Sequence, residues 1–225
     1  MQFEIKNRPD FASLHILLDQ GEQVVTEAGA MMGMSPEIDM KTNLKGGLLA
    51  AAKRALGGES VFLNTYTATG QGQRLDIAPA SPGDMEHVVL DHSALMVQSG
   101  SFCASSPDVT VDTKWGGAKT FFGGEGLLML RCSGSGDLWF ASYGAIHPVD
   151  VQGSYIVDTG HIVAFEESLS FTIRKVGGIK SLFLSGEGLV CEFSGTGRLW
   201  LQTRNVPALA SFLHPFRRVK PKNND

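Results

Sequence analysis

Three segments of this chain align without gaps on a glycine: GAMMGMSPEIDMKTNL from Gly29, GSFCASSPDVTVDTKW from Gly100 and GHIVAFEESLSFTIRK from Gly160. Each runs on into a Gly-Gly pair. Self-similarity of this kind constrains the fold more than any single motif, because a recurring unit must bury the same face each time it occurs. Inside the segments, Ile38 and Met40, Val109 and Val111, and Leu169 and Phe171 flank Asp39, Thr110 and Ser170. This period-two alternation predicts a half-buried strand in each. A polar turn precedes it every time: Ser35-Pro36-Glu37, Ser106-Pro107-Asp108 and Glu166-Glu167-Ser168. Upstream, Val24-Val25, Leu95-Met96-Val97 and Tyr155-Ile156-Val157 read as a preceding strand.

A second unit follows each Gly-Gly pair: GESVFLNTYTATGQGQRLDI from Gly58, GEGLLMLRCSGSGDLWF from Gly124 and GEGLVCEFSGTGRLWL from Gly186. All open with Gly-Glu, run apolar, meet Gly-x-Gly and run apolar again. Counted back from that glycine pair, Ala68, Cys132 and Phe193 correspond, as do Tyr66, Leu130 and Cys191, with Thr67, Arg131 and Glu192 between them. A dinucleotide loop would need a helix after its glycines, whereas Gly134-Ser135-Gly136 leads into the strand-like Asp137-Leu138-Trp139-Phe140. The expectation is therefore three equivalent hairpin turns, at Gly70 and Gly72, Gly134 and Gly136, and Gly195 and Gly197.

The fold expected is mainly β: a single domain over 1–225, built from three pseudo-repeated strand-rich units at about 20–85, 86–150 and 151–205. A single unit has too little core to stand alone. Two stretches break the β pattern. Lys45 to Leu56, alanine- and leucine-rich, predicts a short inserted helix. VPALASFLHPF predicts a short C-terminal helix, with Pro207 placed to begin it and Pro215 to end it. Residues 217–225 read as a frayed polar tail.

Chemistry is sparse. The three cysteines, Cys103, Cys132 and Cys191, are far apart and lack C-x-x-C spacing, which fits buried free thiols in a reducing compartment. The six histidines show no H-x-H or H-x-x-x-H pairing, so no metal or cofactor is expected. Asp91-His92-Ser93 sets three triad residue types side by side, but neighbours on a strand point to opposite faces and cannot converge. More suggestive are Glu59, Glu125 and Glu187, which hold one place in each unit. On a pseudo-threefold axis they would meet and bind a cation or small molecule. Trp139 and Trp200 also correspond, with Leu75 in the first unit, and suit core or interface packing or a stacking platform. In the inserted segment, Lys53 and Arg54 beside Leu48, Leu49, Ala52 and Leu56 suit a helix capping the fold, or one that lies on a membrane surface or binds a partner.

A net charge of −4 gives no reason to expect a nucleic-acid partner. The N-terminus carries Glu4 and lacks a basic flank with a long apolar run, and no stretch reaches the roughly 20 apolar residues that cross a bilayer. A cytoplasmic protein is expected.

The run Glu27-Ala28-Gly29-Ala30-Met31-Met32, Gly58-Glu59-Ser60-Val61-Phe62-Leu63, the Gly70-Gln71-Gly72 turn and Pro82-Gly83-Asp84 occur in an order that resembles an uncharacterised family. That family is related to the mitochondrial biogenesis protein of the altered-inheritance-of-mitochondria group, and the resemblance covers about residues 2 to 205. It implies a tryptophan RNA-binding attenuator-like, barrel- or prism-like β fold. Its eukaryotic members act in mitochondrial inner-membrane organisation, and it brings no catalytic residues. Fold likeness does not confer function. The expectation is a non-enzymatic β-scaffold, homo-oligomeric, that engages a protein partner or a membrane surface. The alternative is a small-molecule or cation-binding protein or enzyme with a pocket on the pseudo-threefold axis. RNA binding ranks behind both.

Overall fold

Alternating sequence becomes strand almost throughout. A computed structural model describes residues 1–43, 63–112, 121–122, 127–175 and 189–217. The strands are β1 (Gln2–Lys6), β2 (Ser13–Leu18), β3 (Gln23–Glu27), β4 (Met31–Met34), β5 (Ile38–Asn43), β6 (Leu63–Ala68), β7 (Gln73–Ile77) and β8 (Met85–Gln98). They continue as β9 (Phe102–Ser105), β10 (Val109–Asp112), β11 (Phe121–Phe122), β12 (Leu127–Ala141), β13 (Ile146–Asp158), β14 (Ile162–Glu166), β15 (Ser170–Lys175) and β16 (Leu189–Gln202). The described helix is α1 (Val206–Leu213). The segment expected to form the inserted helix lies outside the described residues, as does the tail beyond Arg217.

β1, β2, β7 and β4 make a four-stranded sheet in that order. The other twelve strands form a second sheet along the path β13-β16-β14-β8-β12-β9-β3-β6-β5, with β10 and β11 on β12 and β15 on β16. The path is open. Among the described residues β13 pairs only with β16 and β5 only with β6, so the sheets do not close into the barrel that the resemblance implied.

The register shows how the long strands organise their neighbours. β8 lies along one edge of β12, while β9 and then β10 share the other, with Ser105 opposite Leu138 and Val109 opposite Gly134. β13 likewise lies along one edge of β16, with β14 and β15 in succession on the other. Nearer the N-terminus two short strands stand where a long one stands later: β3 and β5 flank β6, and β2 and β4 flank β7. The turn at residues 69–72 separates them and lets β7 enter the smaller sheet.

Inward-facing side chains collect in three clusters. Leu14, Ile16, Leu18, Tyr66, Leu75, Ile77 and Trp139 fill the first, and Phe102, Leu130, Leu138, Phe140 and Trp200 the second. Met96, Met129, Phe165, Phe193 and Leu199 belong to the third. The predicted alternation is visible in Val109 and Val111, both buried around exposed Thr110, and in Tyr66 and Ala68 around half-buried Thr67. Met40 departs from it and faces solvent. Cys103, Cys132 and Cys191 each sit in a different cluster as free thiols, and burial pushes each up to a pKa of about 12. At neutral pH they are protonated apolar fillers, since only the thiolate is reactive.

The glycine pairs are not hairpin turns. Gly134 and Gly136 lie inside β12, and Gly195 and Gly197 inside β16. Gly70 and Gly72 do lie in a turn, but β6 and β7 belong to different sheets and so form no hairpin. The physical reason is close approach by the polar turn on the neighbouring strand. A Cβ on Gly134 would stand 2.2 Å from the Asp108 carbonyl oxygen, and one on Gly136 2.7 Å from Ser106 Cβ. At Gly197 it would meet Ser168 Oγ at 2.5 Å, and at Gly70 Glu37 Oε2 at 2.5 Å. In β12 glycine is there because another chain segment crosses its backbone, whereas at Gly72 a Cβ would meet no described atom within 4 Å and the φ of 61 is what favours glycine.

Candidate functional site

The chain enters α1 from a tightly held base. Thr203 and Arg204 donate their backbone N–H groups to Ala145 and Tyr143 carbonyls, and Gln202 Nε2 donates to the Gly160 carbonyl at 3.0 Å. Asn205 caps the helix: its side-chain oxygen accepts from Ala208 N at 2.8 Å, satisfying a donor that the first turn leaves free. The other end of the same amide reaches His161 Nε2 at 3.0 Å, while His161 Nδ1 lies 2.6 Å from the Gln202 carbonyl. A carbonyl only accepts, so Nδ1 carries the proton and Nε2 receives the Asn205 amide hydrogen.

Beyond that cap the helix leaves the body of the protein, and none of its residues is buried. Val206 is 60% exposed, Leu209 40%, Phe212 68%, Leu213 51% and Phe216, just past the helix, 74%. Positions 206, 209 and 213 share one helical face, with Phe212 beside it and Phe216 in the 3-10 turn that follows. An apolar stripe that a globular fold would normally turn inward is here turned out. At its foot a cleft of about 280 Å³ is lined by residues including Tyr155, Ile156, His161, Leu201 and Gln202, and Tyr155 and Ile156 are themselves exposed.

The sequence of this segment is also cation-rich. From Phe193 to Asn224 the sequence contains no Asp or Glu but carries Arg198, Arg204, Arg217, Arg218, Lys220 and Lys222, in a chain whose net charge is −4. The last three lie outside the described residues.

The residues singled out from sequence fare differently. Glu59, Glu125 and Glu187 lie outside the described residues. Trp139 is fully buried in the first cluster, with Phe3 edge-on at 5.1 Å and His87 at 5.3 Å, and its Nε1 has no hydrogen-bond partner among the described residues. Trp200 is buried in the second cluster against Phe140 at 5.6 Å. The two indoles belong to separate core clusters and offer no stacking platform. Asp91 and His92 are almost wholly exposed, and His92 has φ 46 where β8 passes the irregular register between Gly134 and Gly136. Among the described residues no group of three or more His, Cys, Asp or Glu is placed to hold a metal ion. Sequence reasoning found the C-terminal helix but not its exposure. The signal available was the acid-free, cation-rich composition around an apolar stripe.

Comparison with known proteins bears on the fold and the lineage. The chain is similar to the uncharacterized protein M6_Spy0233 of Streptococcus pyogenes serotype M6, at 27% identity over 223 residues, which cover 95% of this chain and 90% of that one. It is also similar to the crystal structure of protein SPYM3_0169 from Streptococcus pyogenes, with a TM-score of 0.81 and 25% identity over 96% of this chain and 99% of the other. The model of the family described as mitochondrial biogenesis AIM24 matches residues 3–204, the whole double-sheet body up to the base of α1, and the chain belongs to that family.

Proposed function

We propose that this protein is a β-scaffold that docks on an anionic membrane surface through α1. The observation that supports the reading is the outward apolar stripe of Val206, Leu209, Phe212, Leu213 and Phe216, in a stretch of sequence that carries cations and no acid from Phe193 to Asn224. Burying one such side chain is worth about 1.5–3 kcal/mol. Each Lys or Arg held near an anionic lipid surface adds about 1 kcal/mol. The like charges that favour such a surface repel a second copy of the same helix.

The docking is interfacial. Eight helical residues rise about 12 Å, against a hydrocarbon core of about 30 Å, and no helix among the described residues is long and apolar enough to cross a membrane. Co-sedimentation with phosphatidylcholine vesicles, with and without phosphatidylglycerol, tests the reading. Binding should need the anionic lipid and weaken as salt rises from about 0.1 M, where the Debye length is about 10 Å. Equal binding to both vesicle types, or to neither, counts against it.

A second reading, self-association, draws on β13. Its 13 residues pair on one side only among those described, leaving a row of backbone donors and acceptors that a second copy's β13 could meet. Light scattering distinguishes a dimer built this way from a monomer.

A further inference from the structure

The outer face of the four-stranded sheet carries a chain of polar side chains that the docking reading does not use. Ser13 and His15 are two apart on β2, so both point away from Leu14, Ile16 and Leu18, which fill the first core cluster. Lys6 on β1 stands opposite Ser13, and Asp76 on β7 stands opposite His15.

The atoms line up. Ser13 Oγ is 3.0 Å from His15 Nε2, and His15 Nδ1 is 2.7 Å from Asp76 Oδ1. Arg74 Nε donates to both oxygens of Asp76 at 2.8 Å, and its Nη2 lies 3.1 Å from His15 Nδ1. Burial pushes the Asp76 pKa up, but hydrogen bonds from Arg74 and His15 outweigh it and hold the carboxyl below the usual range. Nδ1 lies between an acceptor, Asp76 Oδ1 at 2.7 Å, and a donor-only nitrogen, Arg74 Nη2 at 3.1 Å; the shorter contact, to the ionised carboxylate, places the proton on Nδ1 and leaves Nε2 as an acceptor aimed at the serine hydroxyl. Asn7 adds a donor, with Nδ2 3.4 Å from Ser13 Oγ, and holds a left-handed backbone at φ 59. Ser13 itself is buried, while His15 lines a cleft of about 290 Å³ together with Gln2, Glu4, Lys6, Leu17 and Arg74 among others.

We propose that Ser13 is an activated nucleophile that takes the acyl group of a small ester, with His15 as its base and Asp76 as the residue that orients the base. Ser13 Oγ bonds to the ester carbonyl carbon as its proton passes to His15 Nε2. The ester C–O bond then breaks, and the leaving alcohol carries that proton away. Water, deprotonated by the same nitrogen, releases the acid and restores the serine. Asn7 Nδ2, which donates to Ser13 Oγ at 3.4 Å, supplies a hydrogen-bond donor beside the attacking oxygen.

The test uses the full chain, a fluorophosphonate probe, intact-mass measurement and peptide mapping. One adduct on Ser13 is expected in the wild type and none in Ser13→Ala. Asp76→Asn, checked for retained fold by its melting curve, should label about 10⁴-fold more slowly, the size of effect seen when an orienting carboxylate is lost with geometry intact. No adduct on Ser13 in folded protein overturns the proposal, as does an adduct elsewhere only. Labelling of folded Asp76→Asn at the wild-type rate removes Asp76 from the mechanism and overturns the relay.

Discussion

Asn205 joins the exposed helix to the body of the protein with a single side chain: its oxygen caps Ala208 N at 2.8 Å while its nitrogen holds His161 Nε2 at 3.0 Å. Asn205→Ala removes both contacts. The loss of the cap alone costs about 1 kcal/mol. Hydrogen exchange at the first-turn amides of α1 should accelerate severalfold while exchange in β12 is unchanged. Unaltered exchange at Ala208 would show that the helix start is held by something other than this cap.

Gly134 and Gly21 separate two reasons for a glycine. Gly134 has φ +136 and a Cβ there would stand 2.2 Å from the Asp108 carbonyl oxygen, whereas Gly21 has φ +87 and a Cβ there would meet no described atom within 4 Å. Gly21→Ala should cost about 1–2 kcal/mol from backbone strain alone. Gly134→Ala adds a backbone collision on the scale of overpacking, about 1–3 kcal/mol more. Urea denaturation of the two variants measures the gap, and equal midpoints would contradict the close-approach account.

This pair also shows where sequence reasoning stops. Alternation around Thr110 and Thr67 is a local property, so the strands and much of the core could be read directly. The glycine demand at Gly134-Ser135-Gly136 was equally plain. Its cause was not, because a turn and a crossing chain both exclude a Cβ and only the pairing of β10 with β12 tells them apart. Ser13 and His15 share a face by simple period, but Asp76 reaches them only through the pairing of β2 with β7, which no local pattern encodes. For α1, Asn205 and Pro207 announce a helix start, yet nothing in its apolar stripe says whether a sheet waits to cover it.

Glu27 makes stability depend on pH. Burial raises its pKa to about 7. The folded state therefore holds a proton that the unfolded chain releases near its ordinary value, so this group costs stability as pH rises from about 4.5 toward 7 and above. Glu27→Gln removes the cost. The variant should match the wild type near pH 5 and exceed it at pH 8 by on the order of 1–3 kcal/mol. Parallel stability curves from pH 5 to 8 would be the contrary result.

Two arginine pairs differ in burial. Arg8 Nε and Nη2 hold both oxygens of Asp84, whose side chain is 7% exposed, at 2.7 and 3.0 Å. Arg198 holds Asp150, whose side chain is 68% exposed. Removing Arg8 leaves the buried Asp84 carboxylate without its cation, with the Met85 N–H still donating to it at 2.8 Å, and Arg8→Leu should cost about 2–4 kcal/mol. Arg198→Leu should cost under about 1 kcal/mol. Thermal melts rank the two, and a larger loss at Arg198 would reverse the argument.

The central claim is that the outward stripe of α1 is the docking element. The most direct measurement compares wild type with Phe212→Asp/Phe216→Asp in co-sedimentation with vesicles containing anionic lipid. Both side chains are more than two-thirds exposed, so the variant should keep its fold and melting temperature. The wild type is predicted to pellet with the vesicles and the folded double variant to stay in the supernatant; equal pelleting of the two, or none by either, would contradict the account.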